Sequence, residues 1–400
     1  MSRHITLKLV PSLRAGKLPD GRVVLTQKFI EGVREFCKLW DGPVEVYLEC
    51  GNNPYRNMDE IPVLPEELPF RVRLLSFAEM EQAIAADRGA VVLLSLDDCR
   101  QSGFAAICRG NGVVCAYISE YSLATRRQIV DTGTANPLKR LRRKFWEAGE
   151  ERKRRAAVEL ADGVQCNGTP TYESYRNLSS HALLYFDTRV SQDLLPPLQE
   201  LVWKHRHAGP SRRPIKLLYS GRLTASKGAG HLIRVAMELR RRNTDFHLFI
   251  CGDGDLKPSL TAQIRAAGLE PHITLRGVLD FRTELVPFVK SDIDLFICCH
   301  PQGDPSCTYL ETMSCGVPIA GYANEAFEGV VRHSGCGWTV PVNQPEALAD
   351  RIAEICRAPE LLLEMALGSV AFAEEHTFER TFGRRIHHLQ ELGENALSRN

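Results

Sequence analysis

The sequence predicts an α/β protein built from two doubly wound domains, each a mainly parallel sheet connected by helices. With 400 residues, the chain is too long for one ordinary domain and suits two of about 200 residues. Short apolar runs recur along it, and many are followed by helical patterns, which is typical of parallel sheets. In the second half this alternation predicts strands and helices in turn at 216–220, 232–241, 246–251, 256–267, 294–299 and 308–315.

The first half shows the same alternation. Strands are predicted at 5–10, 44–49, 70–75, 90–96, 112–118, 164–167 and 182–186, and helices at 24–39 and 79–86. The apolar periodicity is lost between 204 and 214, where histidine, glycine, proline and arginine cluster, and such a loss marks a linker. We therefore predict an amino-terminal domain over 1–208, a carboxyl-terminal domain over 209–376 and a terminal helix within 377–400.

Composition narrows the class of protein and its surroundings. Hydrophobic residues make up 44% of the chain and charged residues 25%, as in globular proteins with buried cores. A formal net charge of +1 argues against a nucleic-acid partner, because no strong positive field would collect phosphates. The 13 cysteines include no C-x-x-C pair, and several lie in apolar runs, which predicts reduced thiols and a cytoplasmic location. No run approaches the roughly 20 apolar residues that cross a bilayer.

The loop that follows the predicted strand 216–220 carries the clearest chemistry. Gly221 begins it, Arg222 offers a planar fork of donors, and Lys227 adds a mobile point charge. Open α/β sheets bind ligands at the carboxyl ends of their strands, where helix amide groups also attract anions. A charge-assisted hydrogen bond contributes roughly 1.5–3 kcal/mol, against about 0.3–1 kcal/mol for a helix dipole. The two cations should therefore dominate the binding of a diphosphate.

Further stretches extend this pattern into a family resemblance. After Arg222 and Lys227 come the turn Gly252-Asp253-Gly254, the turn Arg276-Gly277-Val278, a strand start at Ser291-Asp292, and the run YLETMSCGVP at 309–318. In order and spacing these closely resemble the carboxyl-terminal domain of family 4 glycosyltransferases, over about 130 residues. The resemblance implies the GT-B fold, in which two Rossmann-like domains face a cleft and a terminal helix crosses back to the first domain. It also implies transfer of a sugar from a nucleoside diphosphate sugar to an acceptor hydroxyl, with retention of configuration.

The resemblance assigns roles to individual residues. Arg222 and Lys227 hold the diphosphate, and Glu311 accepts hydrogen bonds from the ribose hydroxyls. Gly303 stands where the family carries a first acidic residue near the donor sugar. Asp304, its neighbour, is the candidate replacement, although an aspartate before a proline is also a common turn starter.

Backbone groups complete the expected donor site. The amides of Ser306, Cys307 and Thr308, at the start of a predicted helix, are placed to cradle the distal phosphate or the sugar. The turn at Arg276, Gly277 and Val278 matches the family's frame for the nucleotide base. Backbone contacts leave almost no side-chain signature, so UDP and GDP stay open here, with UDP favoured.

Two stretches of the first domain face this site in the resemblance. The loop 11–22 (PSLRAGKLPDGR) is either a glycine-bearing loop that approaches the diphosphate or acceptor, or a plain surface loop. Glu120 follows the fifth predicted strand, where many relatives carry a histidine near the transferred sugar. We therefore include Glu120, with Arg222, Lys227 and Asp304, among the candidate catalytic residues.

Three alternatives remain open at this stage. The basic run 138–155 (LKRLRRKFWEAGEERKRR) suits either a lipid-linked acceptor at the anionic inner face of a membrane, or a solvated helix with internal ion pairs. The two D-x-D sequences, at 253–255 and 292–294, match a metal-diphosphate signature, but the turn and strand assignments already explain them. We therefore expect no metal and no cofactor. A sugar-nucleotide epimerase, or a non-catalytic binding or scaffold subunit, on the same fold are the rival functions.

Overall fold

Two parallel-rich sheets form the scaffold of the chain. The computed structural model describes residues 5–51, 60–210 and 213–397. Strands of the first sheet are β1 (Leu7–Val10), β2 (Arg14–Lys17), β3 (Val23–Thr26), β4 (Val44–Cys50), β5 (Glu60–Val63), β6 (Arg71–Leu74), β7 (Val91–Ser95), β8 (Val114–Ser119), β9 (Gly163–Asn167) and β10 (Ala182–Tyr185). They follow the order β10-β9-β8-β7-β1-β4-β2-β3-β5, and β6 also pairs with β4. Helices of this half are α1 (Gln27–Leu39), α2 (Phe77–Ala85), α3 (Phe104–Asn111), α4 (Leu123–Gly133), α5 (Pro137–Leu160), α6 (Thr169–Tyr175) and α7 (Leu198–Ala208).

The second sheet is parallel throughout. Its strands are β11 (Ile215–Ser220), β12 (Phe246–Cys251), β13 (Ile273–Gly277), β14 (Leu295–Cys298), β15 (Ile319–Tyr322) and β16 (Trp338–Val340), in the order β13-β12-β11-β14-β15-β16. The helices are α8 (Leu232–Arg241), α9 (Lys257–Ala266), α10 (Val286–Asp292), α11 (Cys307–Met313), α12 (Glu325–Ser334), α13 (Pro345–Arg357), α14 (Glu360–Glu375) and α15 (Phe378–Leu397). The predicted fold class, α/β with two doubly wound halves, is confirmed.

Burial on both faces explains why the strands are continuous apolar runs. Every residue of β7 and of β14 is buried. Along β11, Leu217 belongs to one buried cluster and Leu218 to another, because successive side chains point to opposite faces of the sheet. Each sheet therefore has a core above and a core below it.

The last helix packs on the first half of the molecule. In α15, Phe382 meets Phe36 of α1 edge to face, with ring centroids 5.6 Å apart, and Leu389 lies in the same buried cluster as Val91 of β7. Arg385 donates to the amide oxygen of Gln165 on β9 at 2.9 Å. The last helix therefore forms part of the hydrophobic core of the first half.

The segment 11–26 differs from its prediction. The predicted helix 24–39 begins only at Gln27, because the β-branched Val23–Thr26 pairs antiparallel with β2, Gly16 opposite Val24. The side chain of Thr26 then accepts a hydrogen bond from the amide of Phe29 at 3.3 Å and caps α1. Residues 14–17 of the predicted loop 11–22 therefore form one strand of a β-hairpin, which lies between β4 and β5 in the sheet.

Two further boundaries are corrected. The predicted linker 204–214 is helical as far as Ala208, and Ser211 and Arg212 lie outside the described residues. Lys204 explains the helix, since its buried ammonium donates to the carbonyl of Ile293 at 2.5 Å and so docks α7 on the second half. Ser291 and Asp292 end α10 instead of starting a strand.

Candidate functional site

Three loops at the carboxyl edge of the second sheet are joined through their backbones. The amide of Gly252, after β12, donates to the carbonyl of Gly277 at 2.6 Å, and the amide of Leu223 donates to that of Asp253 at 2.8 Å. Gly252 has φ +132°, and a Cβ there would lie 2.0 Å from the carbonyl oxygen of Gly221. Only glycine permits this approach, so the loops after β11, β12 and β13 form one continuous rim.

The two predicted cations stand on this rim in different states. The hydroxyl of Tyr219 donates to the carbonyl of Arg222 at 2.9 Å and lies 3.3 Å from that of Lys227, which holds the loop in place. Lys227 is 12% exposed and forms an ion pair with Asp304, so the structure brings these two candidates together. Arg222 is exposed, and it has no ion pair within the described ranges.

Gly303 is held against the first half of the molecule. Its carbonyl accepts from the hydroxyl of Thr125 at 3.1 Å, and its amide donates to the side chain of Gln128 at 2.9 Å, both on α4. A Cβ at Gly303 would lie 3.2 Å from the Cβ of Glu325. This interface leaves little room for an acidic side chain at 303, and the carboxylate beside Lys227 comes from Asp304 instead.

His300 lies beside this ion pair and was missed in the sequence. It is 1% exposed, and among the residues that the structure describes neither its ring nitrogens nor the buried Oδ1 of Asp304 have a hydrogen-bond partner. Burial, and then the charge of Lys227, lower the pKa of His300 to about 3, so the imidazole is neutral. A histidine in this strand-to-helix loop carried no pattern that distinguishes it from a core residue.

Glu311, the predicted ribose ligand, meets a cation from the first half. Its Oε1 accepts from Nε of Arg189 at 2.8 Å, and the Arg189 guanidinium lies 4.3 Å from the ring centroid of Phe281. Glu311 is 11% exposed and Arg189 44%. Arg189 follows β10 in a segment that showed no motif, so the sequence did not reveal this pair.

The other predicted groups of the second half lie on the same rim. Arg276 is exposed, with its guanidinium 4.2 Å from the ring centroid of Phe288, and Val278 is 55% exposed. Gly254 follows Asp253 and begins the turn that leads to α9, where its carbonyl accepts from the amide of Lys257 at 3.0 Å. The turn after β13 therefore has exposed side chains and lies on the same rim as Arg222 and Lys227.

The residues 306–308 lie where the two halves meet. Ser306 precedes α11, and Cys307 and Thr308 are its first two residues, whose amides have no partner inside a helix. The thiol of Cys307 lies 3.2 Å from the ammonium of Lys28, on α1, and 3.5 Å from Oδ2 of Asp187. The first half therefore reaches this predicted phosphate cradle with a lysine.

Glu120 stands at the carboxyl edge of the first sheet. Its amide donates to Asp97 at 2.8 Å, and Asp97 in turn accepts from Arg126 at 2.6 Å. Burial, followed by the charges of Asp97 and Asp187, raises the pKa of Glu120 to about 7. Within the described residues Glu120 makes no direct contact with Lys227 or Asp304, so the structure gathers three of the four candidate catalytic residues on one rim and leaves Glu120 on the other.

A buried ionic network holds that first edge. Arg126 is 6% exposed and contacts both Asp97 and, at 3.3 Å, Glu151 of α5. Glu151 also accepts from the hydroxyl of Tyr175 at 3.1 Å, and Nε of Arg154 donates to the carbonyl of Leu96. These contacts connect α4, α5 and α6 to the end of β7.

Three aspartates of the two D-x-D sequences have basic partners. Asp253 pairs with Lys257 at 3.0 Å, Asp292 with Lys216 at 2.6 Å, and the buried Asp294 with Arg213 at 2.6 Å. Across the described ranges, no group of three or more histidine, cysteine, aspartate or glutamate residues is arranged to hold a metal ion.

The basic run forms α5, and its two halves differ. In the first half Leu138, Leu141, Phe145 and Trp146 are exposed by 77, 54, 71 and 52%. Toward the second half Arg154 pairs with Glu147 at 3.3 Å and Lys153 pairs with Glu150 at 2.7 Å, and the buried Arg154 and Glu150 pack this part of the helix against the protein. Among the helices that the structure describes, none is long and apolar enough to span a membrane.

Comparison with known proteins relates the whole chain to a fold and its second half to a family. The crystal structure of Anabaena Alr3699/HepE in complex with UDP matches with a TM-score of 0.67 at 13% identity, covering 97% of this chain and 99% of that one, and the fold is GT-B. Residues 203–367 match the family model described as glycosyl transferases group 1. This part of the second half is therefore similar to the group 1 glycosyl transferases.

Curated relatives agree on the class. The alpha-D-kanosaminyltransferase of Streptomyces kanamyceticus is 28% identical over 186 residues, which cover 46% of this chain and 47% of that protein. A GDP-mannose-dependent alpha-(1-6)-phosphatidylinositol dimannoside mannosyltransferase of Mycobacterium tuberculosis is 26% identical, over 53% of this chain and 57% of that one. The chain thus spans about half the length of the curated relatives it matches.

Proposed function

We propose that the protein transfers a sugar from a nucleoside diphosphate sugar to an acceptor hydroxyl, with retention of configuration at the anomeric carbon. The observation that carries the proposal is the carboxyl edge of the second sheet, where Arg222 and Lys227 lie on the loop after β11 and Glu311 lies on α11, the helix that follows β14. Two cations and one carboxylate at such an edge suit a diphosphate and a ribose.

The cations perform the main electrostatic task in this mechanism. Arg222 and Lys227 bind the diphosphate and stabilise the negative charge that grows on it as its bond to the sugar breaks. Lys227 exchanges Asp304 for a phosphate oxygen, and Asp304, beside the neutral His300, is then free to accept from a sugar hydroxyl. Two converging cations need no metal, so we expect transfer to continue in EDTA.

Glu120 is the group that the first half contributes to the chemistry. Its pKa of about 7 leaves it close to half protonated at neutral pH, so it can accept or donate a hydrogen bond to the transferred sugar or the acceptor hydroxyl. The acceptor oxygen attacks the face of the sugar from which the diphosphate leaves, as the family resemblance implies.

We favour UDP over GDP as the nucleotide of the donor sugar. The turn at Arg276, Gly277 and Val278 offers mainly backbone to the base. The structural neighbour was crystallised with UDP, whereas the mycobacterial relative is named for GDP-mannose. The acceptor is a polysaccharide or glycolipid hydroxyl in this proposal.

Calorimetric titration with UDP and with GDP, each in Mg²⁺ and in EDTA, tests the donor site. We expect metal-independent binding of one nucleotide, weakened in Glu311→Ala. A sugar-nucleotide panel then separates the rivals, since a transferase needs an acceptor, whereas an epimerase releases an epimer or free sugar without one. Absence of binding by the wild type to both nucleotides would contradict the proposal and favour a scaffold subunit.

We also propose that the first half of α5 contacts an anionic membrane surface that presents the acceptor. Leu138, Leu141 and Phe145 are spaced three and four residues apart on one exposed side of the helix. Lys139 and Arg142 flank them and are exposed as well. Apolar side chains among cations are the composition of helices that lie in a lipid interface.

Co-sedimentation with vesicles of anionic and of neutral phosphatidyl lipids tests this contact. We expect binding to the anionic vesicles, lost when Phe145 and Trp146 are changed to serine and when Arg142 and Arg143 are changed to glutamate. Charge reversal of Arg152 and Lys153, in the second half of the same helix, is the matched control. Equal binding by all variants would contradict the membrane proposal and leave the donor site untouched.

A further inference from the structure

Lys28 crosses from the first half of the molecule to the predicted phosphate cradle. It is the second residue of α1, and its ammonium lies 2.5 Å from Oδ2 of Asp187 and 3.2 Å from Sγ of Cys307. Lys28 and Cys307 are separated by 279 positions in the chain. The side chain of Lys28 is 37% exposed.

Asp187 holds this ammonium in place and remains ionised. Burial favours its neutral form, but the charge of Lys28 and its hydrogen bond outweigh burial and lower the pKa of the Asp187 carboxyl. The amide of Asp187 donates to the side chain of Asn167 at 3.1 Å, which anchors the segment after β10 to the end of β9. The position of Lys28 is therefore set by the end of the first sheet.

An ammonium has three donors, and the contacts of Lys28 account for two of them. Within the described residues the third has no acceptor, and Cys307 is the first residue of α11, the segment whose amides are expected to cradle the distal phosphate. Beside an anion the Lys28 charge adds to that of Lys227, which reaches the same cleft from the opposite domain. A weak thiol contact is readily exchanged for a phosphate oxygen.

The hairpin of β2 and β3 leads directly into α1, the helix that carries Lys28. The segment 11–22, predicted as either a glycine-bearing loop near the diphosphate or a plain surface loop, contains β2 and the turn that leads to β3. The next residues along the chain are those of the first turn of α1, and Lys28 is the cation that this turn carries toward Cys307.

We propose that Lys28 is a third diphosphate ligand, supplied by the amino-terminal domain, and that it contacts the distal phosphate of the nucleotide. This inference rests on the proposed donor site and names the domain that completes it. Lys28 then makes the protein prefer a nucleoside diphosphate to the corresponding monophosphate, because a monophosphate lacks the group that Lys28 contacts.

The test compares the affinities of the wild type for UDP and UMP, or for GDP and GMP if guanosine is the preferred base, with those of Lys28→Met. We expect the ratio of diphosphate to monophosphate affinity to fall about ten- to a hundred-fold in the variant, the size of a lost charge-assisted hydrogen bond. Lys28→Arg is expected to recover most of the ratio. Lys38→Met is the matched control, since Lys38 lies in the last turn of the same helix and pairs only with Glu35 among the described residues.

The outcomes separate this inference from the proposed function. A wild type that binds neither nucleotide overturns both. A wild type that binds, with an unchanged ratio in Lys28→Met, overturns the role of Lys28 alone, and a proportional loss for both ligands would indicate a merely structural role. If Lys28→Met melts below the assay temperature, Lys28→Gln, which keeps a donor toward Asp187 and removes the charge, carries the same expectation.

Discussion

The two sheet edges that face each other across the cleft are built in different ways. The rim of the second sheet is a backbone construction, in which glycines let the loops after β11, β12 and β13 touch. The edge of the first sheet is a side-chain construction, in which Arg126 and Lys28 are held by buried carboxylates. The backbone rim restricts which residues can replace its glycines, whereas the side-chain edge restricts which charged residues can be removed.

The largest expected effect tests the backbone rim. In Gly228→Ala the new Cβ would lie 1.8 Å from the carbonyl oxygen of Cys299, and we expect a loss of more than about 4 kcal/mol in the free energy of unfolding. Gly277→Ala is the matched control, because Gly277 has a similar φ of +72° but nothing within 4 Å. It should cost only about 1–2 kcal/mol. Equal losses by denaturant unfolding would show that conformation, not contact, requires these glycines.

The next effect tests the side-chain edge. Arg126→Met leaves Asp97 and Glu151 buried without their cation, and we expect a loss of about 3–5 kcal/mol of stability. Arg234→Met, which removes an ion pair to Glu346 whose partners are 60% and 47% exposed, is the control and should cost at most about 1 kcal/mol. Similar unfolding midpoints for the two variants would contradict the idea that buried charge holds this edge.

A third prediction concerns catalysis on the backbone rim. In the proposed mechanism Lys227→Ala removes a cation whose contact strengthens as the leaving diphosphate gains charge, so we expect kcat to fall on the order of 10²–10³-fold, with a smaller change in donor affinity. Lys216 lies near the amino end of β11, the strand that precedes the loop of Lys227. Lys216→Ala removes a lysine paired with Asp292 and should leave kcat unchanged. A change confined to KM would remove the catalytic role from Lys227.

The smallest effect depends on pH and belongs to Glu120. Its ordinary pKa is 4.5 and its folded pKa is about 7, so between these values the native state binds a proton that the unfolded chain has released. Stability from this group is therefore full below about pH 4.5 and is lost as the pH rises through about 7.

Glu120→Gln removes that dependence. We expect the variant to be more stable than the wild type by roughly 2–3 kcal/mol at pH 8, and by little at pH 4.5. Chemical denaturation at a series of pH values measures the difference. A difference that is constant with pH would mean that Glu120 titrates near its ordinary value in the folded protein.

Local requirements made much of the second domain predictable. A glycine where two backbones touch, or an arginine directly after a buried strand, is required by its local surroundings and therefore leaves a pattern in the sequence. The rim from Gly221 to Gly277 follows that rule. The hairpin at 14–26 was missed because its strands are short and Val23–Thr26 runs directly into a helix. Propensity alone does not place such a boundary.

The sequence by itself determined the α/β class, the similarity of the second half to group 1 glycosyl transferases, and the positions of Arg222, Lys227 and Glu311 after strands of the second sheet. Only the tertiary structure decided which partner each charged side chain contacts. Arg189 contacts Glu311, 122 positions away, and Lys28 contacts Cys307, 279 positions away. The physical reason is range. Steric demands of the backbone act between neighbours and leave a pattern in the sequence, whereas a buried charge selects its partner only after the two sheets have brought distant segments together.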